Sequence, residues 1–509
     1  MANIVKSNIF SSLSGWIRFQ FSEKKFSTLL GLALIIGWGI AIVSITSEIN
    51  PLTAVLLLGV AGVFILLVCL RYPRFGLYFT CLFSAFFALP GRFFDMQSPI
   101  GILVEVFTYV LWIAVLRKSV QAHRNTTNFW RSPITAMLLI VMLYYLVEIA
   151  NPAMQSNIGW FFFFRKQISY LLIYFIAYCV LNSYDKIKFY LKFWIALALL
   201  IAIYGIKQQW SGLFEFEKTW VQSDPVLMKL YFQAGFLRKF SFLTDPATFG
   251  ILSSSFGLFT LVLALRIHKN RNKLLLYIAT IILFLATAYS GTRTCIIMIG
   301  GGLTAYCILT INEKRTYRLI LIAVATVILL LVTPFHDSPV LDRLKTTFRA
   351  SKEGSVAVRN INRQKIQPYM RSHPFGGGLN TSSMEGQLYN AGHPLAGFPP
   401  DSGYMKILLE QGWIGFAINL LLYFVVLKHG INSFYKARTP VIKTIFLALT
   451  VFLFALIVGQ YSQVSISQYP IILFYYSALA VFIKLNHFDT QKQLELETFR
   501  KEISIFNPR

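Results

Sequence analysis

Long apolar runs alternate with short polar joins along almost the whole chain. Runs near 27–46, 51–70, 75–90, 99–116, 133–150, 167–184, 189–206, 245–266, 273–290, 294–311, 318–333, 403–427, 440–459 and 467–484 approach or exceed the roughly 18–20 residues that an α-helix needs to cross a bilayer. The pattern predicts an all-α polytopic membrane protein, a helical bundle of about 12–14 transmembrane helices. Ser290-Gly291-Thr292-Arg293 interrupts two adjoining runs and reads either as a join between spans or as a kink between half-spans.

Two segments break the rhythm of short joins. One runs from Lys207 to Thr244 and the other from Pro334 to Ser402, and loops of that length are usually functional or disordered. The second carries helical patterning over Val340–Ala350 and Val356–Gln367, then a flexible turn at Pro374-Phe375-Gly376-Gly377-Gly378, which predicts a small cap folded over the membrane surface. The expected organisation is an interfacial N-terminus at 1–26, a first transmembrane part at 27–333 with its outer loop at 207–244, a cap at 334–402, three last spans at 403–484 and a tail at 485–509. Residues 1–26 lack a continuous apolar core, so no cleavable signal peptide is expected.

Composition agrees with the pattern. Of 509 residues, 56% are hydrophobic and 13% charged, with a mean hydropathy of +0.60. The net charge of +26 raises the question of nucleic acid, but the basic residues are scattered among the spans and form no nucleic-acid motif, so topology and anionic headgroups account for most of it. With the N-terminus inside, Arg71, Arg74, Arg117, Lys118, the run from Arg266 to Lys273, Lys314, Arg315 and the run from Lys428 to Arg438 fall on inner joins, as the positive-inside rule requires. Both termini are then cytoplasmic. Cys69, Cys81, Cys179, Cys295 and Cys307 lie in apolar runs without metal-ligand spacing and read as small core residues, with no disulfide and no metal site.

Candidate chemistry gathers at the outer ends of spans. Asp245-Pro246 suits the opening of a helix, with Asp245 as its N-cap. Arg238, close to that helix start, opposes the macrodipole and calls for an anionic partner, either Asp245 or a ligand. Arg293, set between two apolar runs, is costly at membrane depth unless it is paired or functional. Arg359 and Arg363 are one helical turn apart and suited to forking onto phosphate oxygens. His393 precedes Asp401-Ser402-Gly403-Tyr404, where a polar turn enters a span. Asp401 reads either as part of a cap or as a carboxylate able to take a proton from a sugar hydroxyl. Glu105, Glu148 and Glu410 lie in or near spans, and Glu410 is expected to be paired or to face a cavity. No Walker loop, HExxH, GxSxG or Asp-x-Asp pair occurs, which argues against an ATPase, a zinc protease, a serine hydrolase and a metal-dependent nucleotide-sugar transferase.

Four segments together carry a resemblance: Arg238 to Gly250, Ser290 to Arg293, Arg359 to Leu379 and Asp401 to Gly415. In order and spacing they resemble the bacterial O-antigen ligase and O-antigen polymerase superfamily of the Wzy/WaaL type, over roughly residues 130–480. The resemblance implies a GT-C-like, metal-independent glycosyltransferase of the inner membrane without a cofactor. Its donor would be an undecaprenyl-pyrophosphate-linked glycan. Its acceptor, on the periplasmic side, would be a lipid-linked repeat, lipid A-core or a protein, and a chain-length regulator and a flippase are its expected partners.

Carried over, Arg238 and Arg293 would hold the pyrophosphate with help from Arg359 and Arg363. Asp245 and Tyr404 would line the glycan site, and Asp401 or His393 would activate the acceptor. Asp401 stands where the ligase branch tends to have histidine, which favours a polymerase building O-antigen, capsule or exopolysaccharide. The ligase is the first alternative and a lipid-linked glycan flippase the second.

Overall fold

The computed structural model describes residues 51–94, 101–119, 127–233, 235–267, 270–332, 354–400 and 402–506. In chain order the helices are α1 (Pro51–Arg71), α2 (Pro73–Phe86), α3 (Leu89–Phe94), α4 (Ile102–Ser119), α5 (Thr127–Trp130), α6 (Pro133–Val147), α7 (Asn157–Val180), α8 (Tyr184–Trp210), α9 (Glu215–Gln222), α10 (Pro225–Tyr231), α11 (Pro246–Arg266), α12 (Asn270–Tyr289), α13 (Thr294–Leu309), α14 (Lys314–Val332), α15 (Gly354–Ser372), α16 (Ser383–Tyr389), α17 (Gly403–Lys436), α18 (Pro440–Gly459) and α19 (Ile471–Phe506). A two-residue hairpin, β1 (Phe232–Gln233) and β2 (Phe236–Leu237), pairs antiparallel between α10 and α11.

Eight helical stretches among the described residues are long and apolar enough to cross a membrane: Pro73–Arg92, Pro133–Ala150, Tyr184–Trp210, Pro246–Arg266, Asn270–Tyr289, Gly403–Lys436, Pro440–Gly459 and Ile471–Gln491. The chain is an all-α, multi-pass membrane protein. Its centre is α11, α18 and the first half of α19, which are buried nearly all round. Aromatic rings lock these helices to α8. Trp194 stacks on Phe256 at 5.9 Å, and Phe452 meets Phe256 at 5.1 Å and Phe474 at 4.8 Å.

Most expected spans coincide with helices, and the departures have physical causes. The run expected at 167–184 is the helix Asn157–Val180, which begins ten residues earlier. Arg165 and Lys166 interrupt its apolar pattern, yet Arg165 is neutralised by Glu105 on α4, with Nε 2.8 Å from Oε2 and Nη2 donating to Oε1 at 3.3 Å. The join at Ser290–Arg293 is a true break, with Gly291 at φ +59°. The segment Lys207–Thr244 is compact, built from α9, α10 and the hairpin. In the cap, the helix expected at 356–367 runs from Gly354 to Ser372, whereas the expected Val340–Ala350 helix and the span at 27–46 lie outside the described residues.

The helix α17 is broken at Gly412, whose φ of +64° and ψ of −167° are not helical. A broken span frees backbone groups that lipid cannot satisfy, and the cap satisfies them. Gly377 N donates to Leu409 O at 2.8 Å, Gly378 N to Glu410 O at 3.0 Å and Trp413 N to Pro374 O at 2.9 Å. Tyr144 on α6 donates its hydroxyl to Gln411 O at 2.5 Å. The glycines are needed for this approach. A Cβ on Gly377 would lie 2.7 Å from both His393 Cε1 and Tyr369 Oη, and one on Gly412 would strike the backbone of Pro374 and Phe375.

Candidate active site at the cap end of the bundle

Arg238 follows the hairpin directly and is buried, at 7% exposure. Its Nε donates to Ser290 O at 3.1 Å, Nη1 to Leu230 O at 3.3 Å and Nη2 to Thr292 Oγ1 at 2.8 Å. Backbone carbonyls and a hydroxyl are its direct partners, and Asp245, one of the two anionic partners expected for it, acts on the guanidinium through its charge. Burial pulls the group below its ordinary pKa, the charge of Asp245 opposes that, and the nearby charge of Arg293 adds to it. Thus Arg238 braces the turn that carries Arg293, and the two cations lie close together. Arg293 itself is half-buried at the N-cap of α13, in the αR region, where its side chain does no capping.

Asp245 is the N-cap of α11. Its Oδ1 accepts from Thr248 N at 2.8 Å, and its Oδ2 accepts from Thr248 Oγ1 at 2.5 Å and Thr244 Oγ1 at 3.0 Å. Beside it, Lys239 is buried with its ammonium over the Phe236 ring at 5.6 Å, and burial pushes its pKa down to about 8.

The element that joins these pieces, the polar loop at 460–470 between α18 and α19, carries no signal in the sequence. Ser462 Oγ donates to Thr294 Oγ1, next to Arg293, at 2.8 Å. Tyr461 receives Arg363 from the cap, with Nη1 donating to its hydroxyl at 3.3 Å and the guanidinium 5.1 Å from the ring centre. Gly403 N donates to Gln463 O at 3.2 Å and Tyr404 N to Gln460 O at 3.3 Å, which seats the start of α17. Gln468 hydrogen-bonds the hydroxyl of Thr248, the same threonine that binds Asp245. The loop therefore touches the segments of Asp245, Arg293 and Arg363 and the start of α17.

Ser402 caps α17, its Oγ accepting from Met405 N at 3.0 Å. Asp401 lies outside the described residues, as does the Arg359 side chain; the backbone of Arg359 is in α15, one turn before Arg363. Tyr404 donates to Ile457 O at 2.8 Å and so ties α17 to α18. His393 is buried, at 5% exposure. Its Nδ1 accepts from Leu395 N at 3.1 Å and its Nε2 lies 3.4 Å from the Tyr369 hydroxyl. The neutral ring therefore carries its proton on Nε2, and its one lone pair is already occupied. Burial, then the charge of His373, holds His393 below the ordinary imidazole pKa, against a raising hydrogen bond with the Ala153 backbone. Glu410, at 1% exposure, accepts from Ser382 Oγ at 2.5 Å, with Lys406 Nζ at 3.9 Å.

Arg92 is a second feature absent from the sequence reading. It is buried between Trp220 and Phe240, 4.8 and 4.6 Å from their ring centres, and donates to Ser241 O at 2.8 Å and to Leu243 O. Gln208 holds the other side of the same turn, accepting from Ser241 N at 2.8 Å. Together they fix the strand between Arg238 and Asp245, including Ser241 at φ +55°. Among the described residues no cluster of His, Cys, Asp or Glu is arranged to hold a metal ion.

Fold and site define a multi-pass membrane protein with a cation-rich site at the capped end of its bundle. Residues 278–420 match the family model Wzy_C, described as O-Antigen ligase, and the match supports the O-antigen ligase and polymerase superfamily. It spans α12 to the first half of α17, including Arg293, Arg363 and His393, and supports a ligase- or polymerase-type function on lipid-linked glycan and acceptor. No curated protein matches the chain.

Proposed function

We propose that the protein is a metal-independent glycosyltransferase of the bacterial inner membrane, which polymerises undecaprenyl-pyrophosphate-linked repeat units at the periplasmic face. The observation that carries the reading is the convergence of the segments bearing Asp245, Arg293 and Arg363 and of the α17 start on the loop at 460–470, with Arg238 bonded to the Arg293 turn. The acceptor hydroxyl attacks the anomeric carbon of the donor, the bond to the pyrophosphate oxygen breaks, and the negative charge leaves on the pyrophosphate. Arg293, with Arg238 bracing its turn, stabilises that charge in a partly dry setting. Arg363 adds a cation from the cap, and Arg359, one turn earlier in α15, is assigned the same role.

Asp401 takes the acceptor proton. His393 is the weaker candidate, because the Leu395 amide already occupies its lone pair. A chain-length regulator and a flippase are the partners this reaction calls for. The family's description as an O-antigen ligase favours a second reading, ligation of the glycan to lipid A-core or to protein.

Purified protein given lipid-linked repeats as its sole substrate forms long chains if it is a polymerase, and needs added lipid A-core or acceptor protein if it is a ligase. Arg293→Ala is expected to abolish long-chain glycan at normal protein abundance. Wild-type chain length in that variant would sink the reading.

A further inference from the structure

A polymerase of lipid-linked repeats must hold two lipid phosphates at once, one on the leaving chain and one on the acceptor, whereas a ligase using lipid A-core or protein needs one such site. We propose, resting on the polymerase reading, that Lys166, which faces Tyr469 at the other end of the 460–470 loop from Ser462, anchors the second phosphate subsite. Lys166 follows the run Trp160-Phe161-Phe162-Phe163-Phe164-Arg165 in α7. Its neighbour Arg165 is spent on Glu105 in a two-point ion pair. No carboxylate among the described residues lies within ion-pair distance of the Lys166 ammonium, and its contact is the face of Tyr469 at 5.9 Å.

Glu105 already carries Arg165, so the local sum of Arg165, Lys166 and Glu105 is one positive charge. One carboxylate shared between two cations in an apolar helix leaves a net positive charge that an anionic ligand would offset. Its position supplies the rest of the argument. Tyr469 follows Gln468, which binds Thr248 and through it the Asp245 cap. Ser462 at the other end of the loop holds the Arg293 turn. One short loop thus touches both cationic places, through Ser462 at the Arg293 turn and Tyr469 at Lys166.

The test compares two acceptors with the same sugar sequence, one linked to undecaprenyl pyrophosphate and one free of phosphate, using the full-length protein in nanodiscs. The wild type is expected to prefer the phosphate-bearing acceptor by about tenfold in kcat/KM, as one charge-assisted contact supplies. Lys166→Ala brings that ratio to about one and Lys166→Arg restores it, whereas damage to folding lowers both reactions together and leaves the ratio as it was. Native mass spectrometry with undecaprenyl pyrophosphate as the probe should count two molecules per wild-type chain and one per Lys166→Ala chain.

An unchanged preference in Lys166→Ala overturns the proposal. So does displacement of the second bound molecule by phosphatidylglycerol, which marks a lipid-headgroup site. A wild type that elongates neither acceptor defeats the polymerase reading instead.

Discussion

Arg238 and Lys239 are neighbours in the chain, both buried, and the surroundings treat them differently. Arg238 has a carbonyl or hydroxyl for each of its three nitrogens, so removing it strands buried acceptors. The Lys239 ammonium has an aromatic face and a pKa near 8. Its folded pKa lies below the unfolded value of about 10.4, so the unfolded state binds more protons between about pH 8 and 10 and stability rises with pH across that window. Below pH 8 both states are protonated and the full cost of the buried charge remains. Lys239→Met should therefore melt higher than the wild type at pH 7, and thermal melts at pH 10 should show the advantage shrinking.

At this scale the sequence was legible wherever charge stood against its setting. Arg293 and Asp245 were visible because a cation between apolar runs and an Asp-Pro pair are local signals. Arg92 and Lys166 were not, because what gives them meaning, Trp220 with Phe240 and Glu105 with Tyr469, is far away in the chain. A cation inside or beside an apolar run was the one available signal for both.

The broken helix is the telling case among the elements. The glycines around it stand in the sequence as part of a flexible turn at 374–378 and near the end of the Asp401–Gly415 segment, two features without evident connection. In the fold they are two sides of one contact, since the amides of Gly377 and Gly378 replace the helical partners that Leu409 and Glu410 lose at the break. Gly412→Ala places a side chain in the left-handed region and against the Pro374 backbone. The strain alone costs about 1–3 kcal/mol. Hydrogen exchange should show the amides of Gly377, Gly378 and Trp413 losing protection in that variant, while those of α11 and α18 keep theirs. The loop at 460–470 was invisible for the opposite reason. Its polar residues read as an ordinary join, and only the fold reveals that each faces a different segment.

For the whole molecule, the alternation of apolar runs and joins was enough to give the class and most helix positions. It misplaced the start of α7 because an ion pair hides a charge from the solvent but not from a hydropathy pattern. The basic joins predict that the end bearing Arg438 and Asp489 faces the cytoplasm, where Asp489 closes the α17–α18 turn by accepting from Arg438 N at 3.1 Å and Thr439 N at 3.0 Å. Tyr461, 59% exposed, then faces the periplasm. A cysteine placed at 461 should react with a membrane-impermeant maleimide in spheroplasts, and one at 490 only after lysis. The opposite labelling would reverse the orientation.

The cap is fastened unevenly. Along the Gly412 break it is held by backbone bonds from Gly377, Gly378 and Trp413, in a seam where two main chains lie against each other. Beside Arg363 it is held through side chains, with a guanidinium resting on an exposed tyrosine. The two edges differ in kind, and the side-chain edge at Arg363 is expected to yield before the main-chain seam at the glycines.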